Sequence, residues 1–281
     1  MIDITFWGVR GSISSPGKNY VKYGGNTSCI QISIDNTYDF IIDAGTGLVN
    51  LGYQLKSLET PIYIFFTHFH WDHIQGIPFF EPLYMPKREI NFIADRLLGW
   101  EDNIFLQMKE PQFPVSVDKV QSNRLFHLFK SFDYFSKNGI NIETLSGNHP
   151  GGYTIYKIAV EGKKIVCCTD NELSMKGETT TSWDQFISFF QDCDLLIHDC
   201  QYIPEEMDQK RGWGHSHYEE VCVLAEKAQV KHLVLTHYDP KRTDHQIDCI
   251  KERVKNLLKG KLYPLQVTFA YEGLTITVGG V

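Results

Sequence analysis

The sequence lacks the features of a membrane or secreted protein. No window approaches the roughly 18 consecutive apolar residues that a membrane-spanning helix needs. Residues 1–12 contain no basic segment followed by a long apolar one, so we expect no secretory signal. Internal repeats and low-complexity tracts are missing as well. These absences predict a cytoplasmic protein with no membrane partner.

Positive charge and paired cysteines are also scarce. Lys and Arg number 27 against 34 Asp and Glu, which gives a formal net charge of −7 at pH 7. Because such a chain has no broad cationic field, long nucleic acid is disfavoured as a partner. The seven cysteines include no Cys-x-x-Cys pair and stand mostly in apolar runs, as buried thiols do in a reducing compartment.

The chain has enough apolar sequence for one large domain. Its 281 residues are 42% hydrophobic, so a core needs no disulfides or structural metals. Short β-rich apolar runs predict strands at residues 2–7, 29–34, 39–42, 61–66, 140–145, 153–160, 164–169, 195–198, 232–236, 265–271 and 274–278. Ser/Thr-x-x-Glu/Gln start signals predict helices at residues 182–191, 216–228 and 243–258, with Ser216 and Glu219 as the second cap pair. Sheets covered by such helices make a layered α/β domain over residues 1–281.

Residues 79–137 do not fit this pattern. They hold prolines at positions 82, 86, 111 and 114 and a mixed helical run near residues 94–108. We interpret the segment as a lid or insertion beside whatever site the strand ends build. Phe80 and Phe113 are its candidate wall residues.

One segment concentrates the residue types that bind metals. An apolar strand leads into three histidines and an aspartate within six residues, at His68, His70, Asp72 and His73. Neutral imidazoles and carboxylates suit Zn²⁺, Mn²⁺ or Fe²⁺, and a tight loop after a strand lets such side chains converge. The alternative is that His68 and His70 are alternating strand residues and that Asp72 caps a following helix.

At this motif the chain resembles the metallo-β-lactamase superfamily, whose signature is Thr-His-x-His-x-Asp-His after a buried strand. The resemblance implies a four-layer αββα sandwich, with two mixed β-sheets flanked by helices. It also implies three further ligands, which follow later strands: His149, Asp170 and His237. A solvated turn residue at His149 and an unpaired carboxylate at Asp170 are the alternatives.

The resemblance divides these ligands between two metal ions. The first ion would be held by His68, His70 and His149. The second would be held by Asp72, His73 and His237. Asp170 would bridge the two ions, which leaves room for a hydroxide between them.

A second pair of motifs points to a narrower branch of that superfamily. Residues 194–200 and 214–217 resemble the tRNA 3′-processing endonuclease and phosphodiesterase branch. This resemblance implies that Asp199 orients His215 and that His215 assists the leaving oxygen. The branch more often has Glu at the position of Asp199 and Thr at that of His217. The pair stays chemically sensible because a carboxylate raises imidazole basicity. A residue that merely precedes a helix is the alternative for His215.

Glycine-rich stretches at residues 8–12, 24–28 and 43–47 are expected to flank the metal-bearing edge of the sheets. Arg10 is a candidate contact for a phosphate oxygen. Asp43 is a candidate acceptor for the N–H of a ligand histidine. Structural turns are the alternative interpretation of these stretches.

Together these residues predict a hydrolase with two divalent metal ions, zinc first and manganese or iron as alternatives. Two metals about 4 Å apart lower the pKa of a shared water and neutralise charge on a pentavalent phosphorus. Asp72 and Asp170 would orient the metal-bridging hydroxide. His215, held by Asp199, would assist departure of the alkoxide.

The predicted partner is a small-molecule phosphodiester, such as a cyclic nucleotide or cyclic phosphate. The tRNA endonucleases of the branch carry a long arm between the third metal histidine and the bridging aspartate. Here 20 residues separate His149 from Asp170. A carbonyl hydrolase of the same fold (thioesterase or lactonase) and a non-catalytic metal-binding sensory module are the alternative functions. A homodimer is left open.

Overall fold

The computed structural model describes residues 1–56, 60–95, 100–129, 134–177 and 180–279. The strands in these ranges are β1 (Ile2–Gly8), β2 (Cys29–Ile34), β3 (Tyr38–Ile42), β4 (Ile62–Phe66), β5 (Glu89–Ala94), β6 (Asn123–Leu128), β7 (Ile140–Gly147), β8 (Tyr153–Val160), β9 (Lys163–Cys168), β10 (Leu195–Asp199), β11 (His232–Thr236), β12 (Gln266–Phe269) and β13 (Thr275–Val278). They form two mixed sheets. The first has the order β13-β1-β2-β3-β4-β5-β6, and the second has the order β12-β11-β10-β9-β8-β7.

The helices of the described ranges are α1 (Gly47–Leu55), α2 (Trp100–Phe105), α3 (Trp183–Phe190), α4 (Met207–Lys210), α5 (Tyr218–Lys227) and α6 (Asp244–Leu258). Short 3-10 turns connect several of the other elements. Within the part of the chain that the structure describes, no helix combines the length and apolarity needed to cross a bilayer.

Two core clusters explain the layering. β4 is buried along its whole length because both of its faces are covered. Phe65 belongs to the larger cluster, which also holds side chains of the second sheet and of α3, α5 and α6. Ile64 and Phe66 belong to a second cluster with α1. β10 is also fully buried, and α5 packs against β10 and β11. The result is four layers in the order helix, sheet, sheet, helix.

The parallel strands decide where functional side chains meet. In the first sheet β3 to β6 are mutually parallel, and in the second sheet β9 to β12 are. Pairing of Cys168 with His198 and of Asp199 with Thr236 brings the ends of β9, β10 and β11 side by side. Residues that follow these strands therefore emerge at one edge, where α/β sheets commonly bind ligands.

The described residues of the segment 79–137 form two strands that the sequence analysis does not predict. β5 and β6 extend the first sheet beyond β4, and the four prolines lie outside both strands. Phe80, a predicted wall residue, is 1% exposed and lies in the core, whereas Phe79 beside it is 60% exposed. The wall assignment of Phe80 is therefore wrong, because its side chain packs inward. A lid role for the rest of the segment stays a prediction.

The helix start signals are confirmed at two of three positions. Ser182 and Thr243 form the expected capping boxes with Gln185 and Gln246. The third prediction is wrong: α5 begins at Tyr218, and the N–H of His217 donates to Glu220 Oε1 at 3.3 Å.

Ser216 has other partners, which explains the displaced cap. Its N–H donates to Asp199 Oδ2 at 2.9 Å, and its hydroxyl donates to the Asn171 carbonyl oxygen at 2.6 Å. Ser216 is thus tied to residues at and after the ends of β10 and β9, while His217 caps the helix.

Candidate metal centre

The loop after β4 brings four predicted ligands together. His68, Asp72 and His73 are buried, while His70 is exposed. A 3-10 turn over Trp71–His73 closes the loop, and the N–H of His73 donates to the carbonyl oxygen of His70 at 3.0 Å. The Asp72 side chain does not cap this turn. Its Oδ2 lies among the other candidate ligands, 3.3 Å from Nε2 of His73.

Asp43 holds this loop from the end of the neighbouring strand β3. Its Oδ1 accepts the N–H of Thr67 at 2.9 Å, and its Oδ2 faces Nδ1 of His73 at 2.8 Å. The Thr67 hydroxyl donates to the same carboxylate. Asp43 is completely buried. The contact that the sequence predicts between Asp43 and a candidate ligand histidine is thus present.

The second sheet supplies three predicted ligands from three strand ends. His149 follows β7, Asp170 follows β9, and His237 directly follows β11. Nδ1 of His149 lies 2.9 Å from the carbonyl oxygen of Gly214. This contact fixes the ring and directs Nε2 toward His70, whose Nδ1 is 3.0 Å away.

Two glycines let the backbone approach these histidines. A Cβ at Gly214 would lie 2.2 Å from Nδ1 of His149, and Gly214 has a φ of +86°. A Cβ at Gly11 would lie 2.4 Å from Cε1 of His237. Real Cβ atoms do not tolerate such contacts, so the close approach requires glycine at both positions.

All seven predicted ligands converge on one centre. Their donor atoms lie within 4.8 Å of one another in three overlapping groups: His68 with His70 and His149, His68 with His73 and Asp170, and Asp72 with His73 and His237. The two carboxylate oxygens of Asp170 lie 3.3 Å from Nε2 of His73 and of His237. Asp170 therefore contacts two ligands predicted for the second ion, and it also groups with His68, a ligand predicted for the first.

Several buried atoms of this centre lack hydrogen-bond partners. Among the described residues these include Nε2 of His68, His73 and His237, and Oδ2 of Asp170. Each buried polar atom without a partner costs about 1–3 kcal/mol, and a cluster of them is typical of a metal site. Imidazole nitrogens and carboxylate oxygens are the donors that zinc and similar ions take. The residues present therefore fit divalent metal ions.

The ligands predicted for the first ion and those predicted for the second differ in charge. Burial lowers the pKa of His149 to about 4, although Asp170 opposes the shift. Burial, followed by the charge of His73, also holds the pKa of His68 well below its usual range. Imidazoles that stay neutral at pH 7 are ready to bind a metal ion.

The ligands predicted for the second ion lie among carboxylates. Burial alone would lower the pKa of His73, but Asp170 and Asp72 outweigh burial and hold that pKa well above its usual range. Burial opposes ionisation of Asp170, but His237 and His73 hold its pKa well below its usual range. In the absence of a metal ion, the positive charge of the imidazoles thus compensates the negative charge of the carboxylates. A bound divalent ion would compensate the same carboxylates.

Asp199 is fully buried behind the centre. Its Oδ2 accepts the N–H of Ser216 and lies 3.6 Å from Nδ1 of His215. Its Oδ1 accepts the N–H of Asn171 at 3.2 Å and lies 3.1 Å from Nδ1 of His198. The ring of His215 stacks on that of His237, with centroids 5.2 Å apart. The structure thus brings the predicted pair together beside the ligand cluster.

Sequence reasoning missed two supporting contacts. The N–H of Ser12 donates to Asp72 Oδ2 at 2.7 Å. Glu172 is 1% exposed and accepts the N–H groups of Gly212 and Gly214 at 2.8 and 3.0 Å, which holds the Gly214 carbonyl on His149. The contact of Ser12 uses a backbone N–H, which no residue type in the sequence could indicate. Glu172 could have been proposed as a supporting residue, because it is a carboxylate only two residues after the predicted ligand Asp170.

The predicted phosphate contact of Arg10 is wrong. The side chain is fully buried, with Nε donating to the Gly24 carbonyl oxygen at 2.7 Å and Nη1 to that of Arg242 at 2.6 Å. Its guanidinium ties loops of the chain together, because carbonyl oxygens already occupy these donors.

Comparison with known proteins decides the family. The family model of the β-lactamase superfamily domain matches residues 38–238, which include all seven predicted ligands. The chain belongs to the β-lactamase superfamily. The predicted fold is confirmed by the metallo-β-lactamase fold protein YhfI from Bacillus subtilis. Its crystal structure matches with a TM-score of 0.70 and 19% identity over 99% of this chain and 100% of that one.

Relatives within the superfamily carry ribonuclease names. Ribonuclease Z of Clostridium kluyveri is 24% identical over 93% of this chain and 95% of its own length. The chain spans 32% of Ribonuclease Z 1 of Schizosaccharomyces pombe. The crystal structure of human tRNase Z, short form, matches with a TM-score of 0.63 and 19% identity over 99% of both chains. The resemblance to the tRNA 3′-processing branch is confirmed.

These findings also sort the functional predictions. As a superfamily member with a His and Asp cluster, the chain is a metal-dependent hydrolase, as predicted. The prediction that long nucleic acid is disfavoured as a partner is wrong, because the curated relatives are named for ribonuclease activity. The physical reason is that a net charge of −7 describes the whole surface and not the local field at a site.

Proposed function

We propose that this superfamily member hydrolyses phosphodiesters with the help of two divalent metal ions. Zinc is the favoured metal, and manganese and iron are the alternatives. One ion is assigned to His68, His70 and His149, and the other to Asp72, His73 and His237. Asp170 is assigned to both. The observation that carries the proposal is the convergence of these donors, with Asp199 and His215 beside them. The unpaired, mostly buried cysteines support a reducing, cytoplasmic setting.

The residues of the chain have distinct tasks in this proposal. Bound metal ions would lower the pKa of a water and stabilise negative charge on the phosphoryl oxygens. Asp72, held by the N–H of Ser12, and Asp170 orient the nucleophile. Nδ1 of His215 is turned toward Asp170 and Asp199, at 3.8 and 3.6 Å. Nε2 of His215 is then the nitrogen that donates a proton to the leaving oxygen.

The finer part of the proposal is a small phosphodiester as substrate, including a cyclic one. A cavity of 430 Å³ adjoins His68 and His70, which is within the range of small-molecule sites. An RNA phosphodiester is the second candidate, favoured by the ribonuclease Z relatives. A carbonyl substrate remains the alternative chemistry.

The test compares leaving groups in wild type and His215→Ala. A 2′,3′-cyclic nucleotide expels an alkoxide, whereas bis(p-nitrophenyl) phosphate expels a phenolate that needs no proton. General-acid assistance contributes roughly 10²–10⁴-fold. We therefore expect kcat/KM to fall about 100-fold or more on the cyclic nucleotide and much less on the nitrophenyl ester. An RNA oligonucleotide and a p-nitrophenyl carboxylic ester complete the substrate set.

Controls separate catalysis from binding. Elemental analysis is expected to find about two metal ions per chain in both proteins, and His245→Ala, which removes an exposed histidine of α6, is expected to behave as wild type. Loss of metal in His215→Ala would make this residue a ligand, which the proximity of His149, Asp170 and His215 allows. Turnover of the carboxylic ester alone would overturn the phosphodiesterase proposal.

A further inference from the structure

An exposed apolar surface lies beside the metal centre. Trp71, Phe79 and Leu106 are 62%, 60% and 56% exposed, and Phe113 is half-buried next to them. These four residues, here called the aromatic shelf, line a groove of 830 Å³. Exposed apolar clusters of this kind commonly mark a binding surface.

The shelf is continuous with the proposed catalytic cleft. Trp71 stands in the chain between two proposed ligands, His70 and Asp72. Ile74 and Leu106 line both the groove of the shelf and the cavity that adjoins His68 and His70. The two cavities therefore adjoin each other, which places the shelf within reach of a molecule whose phosphate lies at the metal centre.

The rings of the shelf are held in place although Trp71 and Phe79 are largely exposed. Nε1 of Trp71 donates to Gln107 Oε1 at 3.3 Å. Gln107 is itself anchored, because its Nε2 donates to the carbonyl oxygens of Ile74 at 2.7 Å and Ile104 at 3.0 Å. Phe79 and Phe113 meet edge to face with centroids 5.4 Å apart. Fixed rings lose little freedom when a flat ligand stacks on them.

We infer that the aromatic shelf binds the nucleobase of the substrate. This inference rests on the proposed phosphodiesterase function and narrows its substrates to nucleotides. Amide side chains of Gln75, Asn103 and Gln112 rim the groove, and amides offer both donors and acceptors to the edge of a heterocycle. Lys109 and Glu110 add one charge of each sign, so the rim selects neither a polyanion nor a polycation.

Binding to the zinc-loaded protein tests the inference without requiring turnover. Isothermal titration is done with adenosine 5′-monophosphate and with ribose 5-phosphate, which has the same phosphate but no base. Stacking of a base on an aromatic side chain contributes about 5- to 150-fold in affinity. We expect the nucleotide to bind at least about 5-fold tighter and Trp71→Ala to abolish this difference while ribose 5-phosphate binds as before.

Two further variants keep the test sharp. Phe79→Ala is expected to weaken the preference for adenosine 5′-monophosphate over ribose 5-phosphate. Because Phe79 lies outside the loop of predicted ligands, this variant replaces Trp71→Ala as the test if Trp71→Ala loses metal. Tyr53→Ala is the matched control, because Tyr53 is 57% exposed on α1 and lines neither cavity. Its binding preference is expected to equal that of wild type.

The outcomes distinguish this inference from the proposed function. Equal affinity for the two phosphates, or a preference that survives both Trp71→Ala and Phe79→Ala, overturns the shelf as a base site. A shift from dimer to monomer in these variants without a change in nucleotide preference assigns the shelf to a second copy of the chain and also overturns it. A base preference that Trp71→Ala removes, in a protein that hydrolyses no phosphodiester, supports the shelf and rejects the proposed function.

Discussion

The two sheets contribute to the candidate centre in different ways. The first sheet provides His68, His70, Asp72 and His73 from one six-residue segment after β4. The second sheet provides His149, Asp170 and His237 from the ends of three strands that are far apart in the chain. One half of the centre is therefore local, and the other half is assembled by folding.

This difference decides what positions each ligand. The local segment is fixed by its own turn and by Asp43, which contacts both Thr67 and His73. The dispersed ligands are fixed by strand pairing and by single contacts such as that between His149 and Gly214. A change at Asp43 acts on the local loop as a whole, whereas a change near Gly214 acts on one ligand.

The largest effect is expected at Asp170, which contacts both a ligand of the local segment, His73, and a dispersed ligand, His237. Asp170→Asn keeps the shape but removes the charge that faces His73 and His237. We expect bound metal to fall below one ion per chain and turnover to fall roughly 10³-fold or more, since metal catalysis supplies several kcal/mol. Elemental analysis and phosphodiester hydrolysis measure the two losses.

His70→Ala is the counterpart in the local half. His70 is exposed and belongs to one ligand group, with His68 and His149. We expect this variant to keep the ion assigned to Asp72, His73 and His237 and to lose more metal from the other position. If His70→Ala strips both ions as completely as Asp170→Asn does, Asp170 has no special place between them.

The same contrast explains what the sequence could reveal. The local ligands are readable because three histidines and an aspartate within six residues carry metal chemistry in plain view. His149, Asp170 and His237 are single residues at strand ends, and family resemblance was needed to choose them. Asp43 was predicted from chemistry alone, and its contact with His73 is present.

Predictions failed where tertiary contacts override a local pattern. Arg10 looks like an anion contact until burial and carbonyl partners are known. Ser216 fits a capping box but is tied to Asp199 and Asn171 instead. The sequence analysis does not predict α1, whose two glycines reduce helix propensity. Both positions need glycine, because a Cβ at Gly47 would meet the backbone of Trp7 and one at Gly52 the ring of Phe80.

The next prediction compares one supporting carboxyl group from each half. Asp43→Asn removes charge from a group in direct contact with His73 and Thr67, and such changes typically cost 10- to 100-fold in metal affinity or activity. Glu172→Gln acts on His149 indirectly, through the N–H and carbonyl groups of Gly214. We expect it to cost less than about 10-fold. Competition with a chelator measures the zinc affinity of each variant.

A matched control lies on the same strand as the first variant. Asp39 lies near the other end of β3, and its Oδ1 accepts a hydrogen bond from Nε2 of Gln31 at 2.8 Å. Asp39→Asn is expected to leave zinc affinity unchanged. A larger loss in Glu172→Gln than in Asp43→Asn would reverse the proposed asymmetry between the local and the dispersed half.

The smallest effect is expected away from the centre, where Asp194 joins the starts of the strands of the second sheet. Its Oδ2 accepts the N–H of Lys164, and its Oδ1 accepts Nζ of Lys231 at 2.9 Å. Burial raises the pKa of Asp194, but the Lys231 and Lys164 contacts outweigh burial and lower it below the ordinary 3.8. A carboxyl group whose folded pKa is lowered stabilises the fold above its unfolded pKa and loses that contribution as pH falls through its folded pKa.

We therefore expect Asp194→Asn to lower the free energy of unfolding at pH 7 by no more than about 1 kcal/mol, because the Lys231 partner is exposed and solvent screens the pair. Urea unfolding of metal-free protein measures this difference from wild type, which should narrow below about pH 4 as the carboxylate is protonated. Asp118→Asn removes an exposed carboxylate beside the exposed Lys119 and should change nothing measurable. A difference for Asp194→Asn that stays constant down to pH 3 would show that packing, not charge, is responsible. The starts of these strands would then be held by shape alone, in contrast to their ends, where charge and metal ligands meet.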